Sequence, residues 1–250
     1  MLDTNLYKNN LSNGYSDPLG ALEDSTRSWI REKAETAKKD NKKLFVAMHH
    51  SLIEHNIMVS RGFTILDNDS LIDMFTSLQI EAVLSGHIHI QDIIEELRGR
   101  GKIYDIATGA FSVFPHNYGI LEFSDKNWIY EADNVDVAGW AGEKGITDNN
   151  LLDFGQYSAD FFNGFSHDMT SRSLAEAGYE PSEISEMSRI AGILNLNFFA
   201  GTEEKNTSEL EGVDLESLFQ DSDSFLFKYL ESIVRDSEPS DNYLANDTRP

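Results

Sequence analysis

Leu44-Phe45-Val46-Ala47-Met48-His49-His50 and Val83-Leu84-Ser85-Gly86-His87-Ile88-His89 decide how this chain reads. Each is a short apolar run that ends in two imidazoles. A run of this length and texture predicts a buried strand. Open α/β sheets carry their sites at the carboxyl ends of their strands, which is where both runs deliver histidine. Together they look like part of a metal site, and no carboxylate motif of the kind a two-metal site also needs stands beside them.

Outward from these two strands, residues 1 to about 135 alternate helix-like and strand-like segments. Asp17-Pro18 and Ser25-Thr26 offer turn and cap chemistry. Trp29, Ile30, Ala34 and Ala37 then recur at helical spacing, with Lys38-Lys39 near the end of the helix, where its dipole favours cations. A long loop from Ser51 to Asp67 follows the first strand. Ser70 to Ser77 predicts a short helix with Leu71, Met74 and Phe75 inward. Ile103–Ala107, Tyr118–Phe123 and Trp128–Tyr130 predict later strands. β-α-β followed by a run of strands predicts a mixed sheet with helices on a face, an α/β or α+β fold.

The texture changes from about residue 145. Phe154, Tyr157, Phe161 and Phe165 fall on one helical face. Ile184, Met187, Ala191, Leu194 and Phe198 step by three and four, as do Leu215, Leu218, Phe219, Leu226, Tyr229, Leu230 and Ile233. These predict three amphipathic helices that must pack on one another or on the first domain. The expected organisation is therefore 1–140, a sheet domain; 141–236, a helical domain; and 237–250, a polar tail expected to be mobile.

Composition narrows the function classes. Forty per cent hydrophobic residues and 15 Phe in 250 residues predict a folded chain. With no cysteine, any bound metal must use His, Asp, Glu, Asn or backbone oxygen. A formal charge of −23, from 43 acids against 20 bases, argues against a nucleic-acid polymer and against an anionic membrane surface as partners. A small phosphate-bearing substrate stays open, because a bound dication reverses the local field. Met1–Lys8 has no basic segment and no apolar stretch of signal-peptide type, and no run reaches the ~18 to 20 apolar residues of a membrane span. As encoded, the chain is expected to be cytoplasmic.

In an extended segment, side chains two apart point the same way, so His87 and His89 can reach a common point or two adjacent ions. Gly86 is expected to let the backbone turn sharply out of the strand. An isolated His-x-His is more often a pair of surface histidines. Here it follows a strand and a glycine, and a second histidine pair ends another strand. Adjacent residues in a strand face opposite sides, so we take His49 as a ligand and His50 as a pocket residue, with the reverse order still open.

Val46-Ala47-Met48-His49-His50-Ser51 and Leu84-Ser85-Gly86-His87-Ile88-His89 resemble the last two metal-binding motifs of the calcineurin-like metallophosphoesterases. The spacing between them, the preceding helix, Leu2-Asp3-Thr4-Asn5 as the strand before that helix, and Thr108-Gly109-Ala110 are similar too. The resemblance covers nearly the whole chain, and a helical extension follows the catalytic domain in some bacterial members. It implies part of a four-layer αββα sandwich and a two-metal hydrolase of phosphoric esters, including cyclic nucleotides or other phosphodiesters. Two divalent ions (Mn, Fe or Zn) roughly 3.5–4 Å apart would polarise the phosphoryl oxygen and supply hydroxide. His49 and His87 would bind one ion and His89 the other, with His50 facing substrate.

The family's Asp-x-His, Gly-Asp-x-x-Asp and Gly-Asn-His motifs are absent, and Asp3, Asp67 and Asp92 do not stand in matching contexts. The resemblance therefore implies a truncated gene product, a split-gene half or a domain fragment, whose full-length form could be exported. A separate polypeptide carrying the missing half is an expected partner. Three imidazoles would hold at most one ion weakly, and little or no activity is expected of the chain alone. The competing readings are a non-catalytic acidic interaction module, built on the helical domain, and a single-metal-binding remnant.

Other residues carry weaker signals. His116 sits in a loop after a strand, where it could serve a pocket and one hydrogen bond is its default role. His55 could line the mouth of a site or lie on the surface. Asp92 could accept a hydrogen bond from a ligating imidazole. Arg61 could meet a phosphate but reads by default as a solvated loop residue. His167, Glu203-Glu204 and Ser222-Asp223 read as surface, and Trp29, Trp128 and Trp140 as packing residues.

Overall fold

A computed structural model describes residues 1–124, 127–203, 210–215, 224–236 and 240–246. The chain divides into two units, Met1–Thr108 and Gly109–Pro250. It is a mixed α+β protein, as the alternation of helical and extended segments predicts. The boundary expected near residue 140 lies inside the second unit.

In the first unit a single helical turn, α1 (Asn10–Asn13), precedes α2 (Asp24–Lys39), β1 (Leu44–Ala47), α3 (Asn68–Ser77), β2 (Ile80–Ser85), β3 (Asp92–Arg98) and β4 (Gly101–Ala107). The sheet order is β1-β2-β4-β3. β1, β2 and β4 are parallel, and β3 returns antiparallel on β4. Ala47 is paired with Leu84, and Ser85 with Ala107. That register brings the carboxyl ends of the three parallel strands level with one another.

The core of this unit joins Val46, Val83 and Ile103 of the sheet to Ile30 of α2 and to Leu71, Ile72, Met74 and Phe75 of α3. Burying each of the larger side chains contributes about 1.5–3 kcal/mol. Leu2 also joins the core, and its N–H donates to the Ala47 carbonyl at 2.8 Å. The amino-terminal segment is thereby held beside β1, and Thr4 accepts from the Ala21 N–H at 2.9 Å.

β3 is an element that the apolar pattern misses. Its sequence, Asp92-Ile93-Ile94-Glu95-Glu96-Leu97-Arg98, is charged because the strand is buried only where it begins and is increasingly exposed beyond. Gly99, with φ 62°, makes the tight return into β4.

The second unit holds β5 (Asn117–Phe123), β6 (Trp128–Asn134), α4 (Val137–Glu143), α5 (Asn149–Leu152), α6 (Phe154–Glu176), α7 (Pro181–Ala200), α8 (Phe225–Val234) and β7 (Tyr243–Ala245). β5, β6 and β7 form an antiparallel sheet in that order. Part of the polar tail expected to be mobile is thus the strand β7, paired along β6. Residues 237–239 and 247–250 of that tail lie outside the described residues, as do Leu218, Phe219, Glu204, Ser222 and Asp223.

α7 starts with Pro181 in its first turn and a reciprocal capping box between Glu180 and Glu183. Its predicted face is buried at Met187, Ala191, Leu194 and Phe198. α8 buries Leu230 and Ile233 as expected.

α6 is turned the other way from its expected face. Tyr157, Phe161 and Phe165 are 43%, 70% and 61% exposed, while Ser158, Ser166, Thr170 and Leu174 are buried. Small polar side chains let α7 approach closely, and hydrogen bonds replace apolar contact. Asn195 donates to Ser166 Oγ at 2.8 Å, and the Ser171 and Ser188 hydroxyls share a bond of 2.8 Å.

Trp128 is fully buried, but Trp29 and Trp140 are half exposed. Glu203, read from sequence as surface, is buried. No helix among the described residues is long and apolar enough to cross a membrane.

Candidate functional site

His49 and His50 follow β1 after Met48, and His87 and His89 follow β2. Because the two strands are parallel neighbours in register, both turns leave the sheet at the same end. The Gly86 N–H donates to the His49 carbonyl at 3.1 Å, tying the turns together. The rings of His49 and His87 lie 4.4 Å apart between centroids, those of His50 and His87 4.8 Å, and those of His49 and His50 5.1 Å. Phe63, from the long loop after β1, packs on His87 at 5.0 Å. His89 is exposed and makes no ring contact with this cluster among the described residues.

The turn after β2 is not made as expected. Gly86 keeps an ordinary backbone, and it is His87 and His89 that take left-handed conformations, with φ of 67° and 64°. The Ile88 N–H closes back onto the Gly86 carbonyl at 2.7 Å. Two non-glycine residues in this region cost on the order of 1 kcal/mol or more each, and such strain concentrates at functional sites.

His50 is buried, and both its ring nitrogens are engaged. Nε2 lies 3.1 Å from the Pro18 carbonyl, which can only accept, so Nε2–H donates. Nδ1 then accepts from the Thr4 hydroxyl at 2.7 Å. So packed, His50 presents a ring face to its neighbours and no free nitrogen. Burial pushes its pKa down; the bond to Pro18 opposes this and the nearby His49 adds to it. His87 is likewise lowered, first by burial and then by His49 and His50, against a hydrogen bond with the Gly62 backbone. His50 and His87 therefore favour the neutral form.

His55 is not on a surface or at a mouth: its side chain is fully buried. Its Nδ1 lies 2.7 Å from Asp92 Oδ2, and its Nε2 lies 3.3 Å from Asp105 Oδ2. Asp92 thus serves His55 and not one of the histidines at the strand ends. Burial alone would push the His55 pKa down, but Asp92 and Asp105 override it and hold it up at about 10. Asp105, overlooked in the sequence because it sits inside an apolar strand, also accepts from the Leu52 and Ile53 N–H groups at 2.5 and 2.8 Å and from Ser85 Oγ at 2.8 Å.

His116 makes two hydrogen bonds within the second unit, to the Phe111 carbonyl at 2.8 Å and to Ser158 Oγ at 2.6 Å. It lines a cavity of about 330 Å³ with Phe114, Asn134 and Phe154. His167 and Arg61 are exposed.

As a donor set for metal, the strand-end cluster is all imidazole. It contains no carboxylate to bridge two positive charges, and His50 has no nitrogen to give. Among the described residues no group of three or more His, Asp or Glu side chains is arranged to hold an ion. The residues present do not fit the two-ion centre that the resemblance implies.

Comparison with known proteins bears on the second unit. Residues 136–240 match the family model for the C-terminal domain of cyclic nucleotide phosphodiesterase. No curated protein matches the chain. Among solved structures, a dimetal phosphatase from Danio rerio is similar over 45% of this chain and 36% of that one, at 11% identity and a TM-score of 0.37. This chain thus spans about a third of that protein's length.

Proposed function

We propose that this chain contributes part of a hydrolytic site for phosphoric esters, of the phosphodiester or cyclic-nucleotide class. The observation that carries the reading is the imidazole cluster of His49, His50 and His87 at the shared carboxyl end of two neighbouring parallel strands. The match of residues 136–240 to the C-terminal domain of cyclic nucleotide phosphodiesterase supports the substrate class.

His49 and His87 are the residues that would act on the substrate side, with His89 at the exposed rim and His50 as a fixed wall. Imidazole N–H groups at this position can donate to phosphoryl oxygens. The carboxylates that a two-ion centre requires would come from outside this sequence, on a segment bearing the Asp-x-His, Gly-Asp-x-x-Asp and Gly-Asn-His motifs, whether of the same protein or of a second polypeptide. The chain alone would bind an ion weakly at most and turn over little or no substrate.

The test is to assay bis(p-nitrophenyl) phosphate with Mn²⁺, first with the purified chain and then after mixing with such a polypeptide. We expect the chain alone to match a metal-free control and the mixture to hydrolyse the ester. His87→Ala should abolish the activity of the mixture. An inert mixture, or activity indifferent to His87→Ala, overturns the reading.

A second reading, an acidic interaction module, draws on the exposed apolar stripe of α6, formed by Tyr157, Phe161, Phe165 and Met169. It predicts that a variant with Phe161 and Phe165 both changed to Ser loses a binding partner while leaving any phosphoesterase activity of the mixture intact.

A further inference from the structure

The His55 cluster sits where the two histidine turns can be held from behind. Leu52 and Ile53 come two and three residues after His50, and both their N–H groups end on Asp105 Oδ2. Ser85 comes two residues before His87, and its hydroxyl donates to the other oxygen of the same carboxylate. Asp92 comes three residues after His89 and holds His55 Nδ1. One imidazole and two carboxylates thus grip the chain just after the first turn, just before the second and just beyond it.

This grip is an expensive way to fill a core. The His55 and Asp105 side chains are 0% exposed and Asp92 is 1% exposed. Buried ion pairs are often matched or bettered in stability by apolar residues of similar volume. What apolar residues do not supply is direction. A carboxylate that accepts from two consecutive amides and one hydroxyl fixes the backbone of two separate loops relative to each other. The loops fixed are those that carry His49, His50, His87 and His89.

We propose that His55 and Asp105, with Asp92 and Ser85, are positioning residues that set the separation of the His49 and His87 rings. The use of that separation for phosphoester chemistry rests on the function proposed above; the separation itself does not. Asp105 meets these turns at the Leu52 and Ile53 N–H groups and at Ser85, so the effect is transmitted through backbone.

The experiment compares the full-length wild type with His55→Gln, Asp105→Asn and the milder Ser85→Ala, and adds Leu71→Ala as a core variant destabilised for a different reason. Inter-ring nuclear Overhauser contacts of His49 with His87, and of His87 with Phe63, are recorded in metal-free protein under conditions where each variant is folded. We expect these contacts to be lost in His55→Gln and Asp105→Asn, weakened in Ser85→Ala and retained in Leu71→Ala. If His55→Gln or Asp105→Asn is unfolded, Ser85→Ala decides against Leu71→Ala. Contacts retained in the folded cluster variants, or lost equally in Leu71→Ala, overturn the proposal. Lost contacts together with an inert complementation mixture would leave the positioning role standing and remove only the phosphoesterase reading.

Discussion

Gly20 lies so close to His50 that a Cβ added to it would collide with the Cγ and Nδ1 atoms of the ring. The same nitrogen takes the Thr4 hydroxyl, so the ring has no direction in which to withdraw without breaking a buried hydrogen bond. Gly20 is tied in turn, its carbonyl accepting from the Leu66 N–H at 2.8 Å. Gly20→Ala should therefore overpack this corner and cost about 1–3 kcal/mol. Urea unfolding of the two proteins measures it. A loss below about 0.5 kcal/mol, the range of an ordinary surface change, would mean that His50 is free to move and that its role as a fixed wall is mistaken.

Helix α6 separates hydrophobicity from burial. Phe161 and Phe165 face solvent, and substitution of either by Ser should change stability by no more than about 0.5 kcal/mol. Leu174, 2% exposed near the end of the same helix, should cost about 2–5 kcal/mol on truncation to Ala. Thermal or urea unfolding of the three single variants reads the contrast. Equal losses at Phe161 and Leu174 would place the aromatic stripe in a core after all.

These two cases show where the sequence was legible. The strands that carry the histidines were readable because each holds a continuous apolar run, Leu44–Met48 and Ala82–Leu84. α3, α7 and α8 were readable because their apolar spacing matches their buried face. α6 was readable as a helix but not in its orientation. Its interface uses Ser158, Ser166 and Thr170, which are small enough for close approach and satisfied by partners that only the fold brings near. β3 was hidden by the charges on its exposed half. Asp105 and His55 were hidden for a similar reason: their roles depend on meeting each other from distant parts of the chain, and no local spacing encodes that. Even at Gly86, where glycine suggested the sharp turn, the left-handed backbone falls on His87 and His89 instead.

Acid should weaken the first unit. His50 and His87 are both held below the usual histidine pKa of about 6.5, first by burial and then by neighbouring imidazoles. The unfolded chain thus takes up protons at these positions before the folded one does. Stability falls as pH drops below about 6.5, because the unfolded state binds more protons there. Wild type and His87→Gln, followed by urea midpoint between pH 7 and 5, give the comparison. The wild type should lose more stability over that interval than the variant, which has one fewer such group. Parallel curves would show that His87 is not held neutral.

Alkali should act through His55, whose pKa is displaced in the opposite direction. It is raised to about 10 in the fold, against about 6.5 unfolded. Between those values the folded protein keeps a proton that the unfolded chain has released. The stabilisation is therefore complete below about pH 6.5, declines across the interval and is gone above about pH 10. Its size is on the order of a few kcal/mol, since a tenfold difference in proton affinity corresponds to about 1.4 kcal/mol. Lysines and surface tyrosines also titrate near the upper end, so the measurement is a difference between wild type and His55→Gln. Wild type should be the more stable at pH 6.5, and the gap should narrow steadily toward pH 10. A gap independent of pH would mean that His55 is neutral in the fold. Asp105 would then be held by the Leu52, Ile53 and Ser85 donors without an imidazolium beside it.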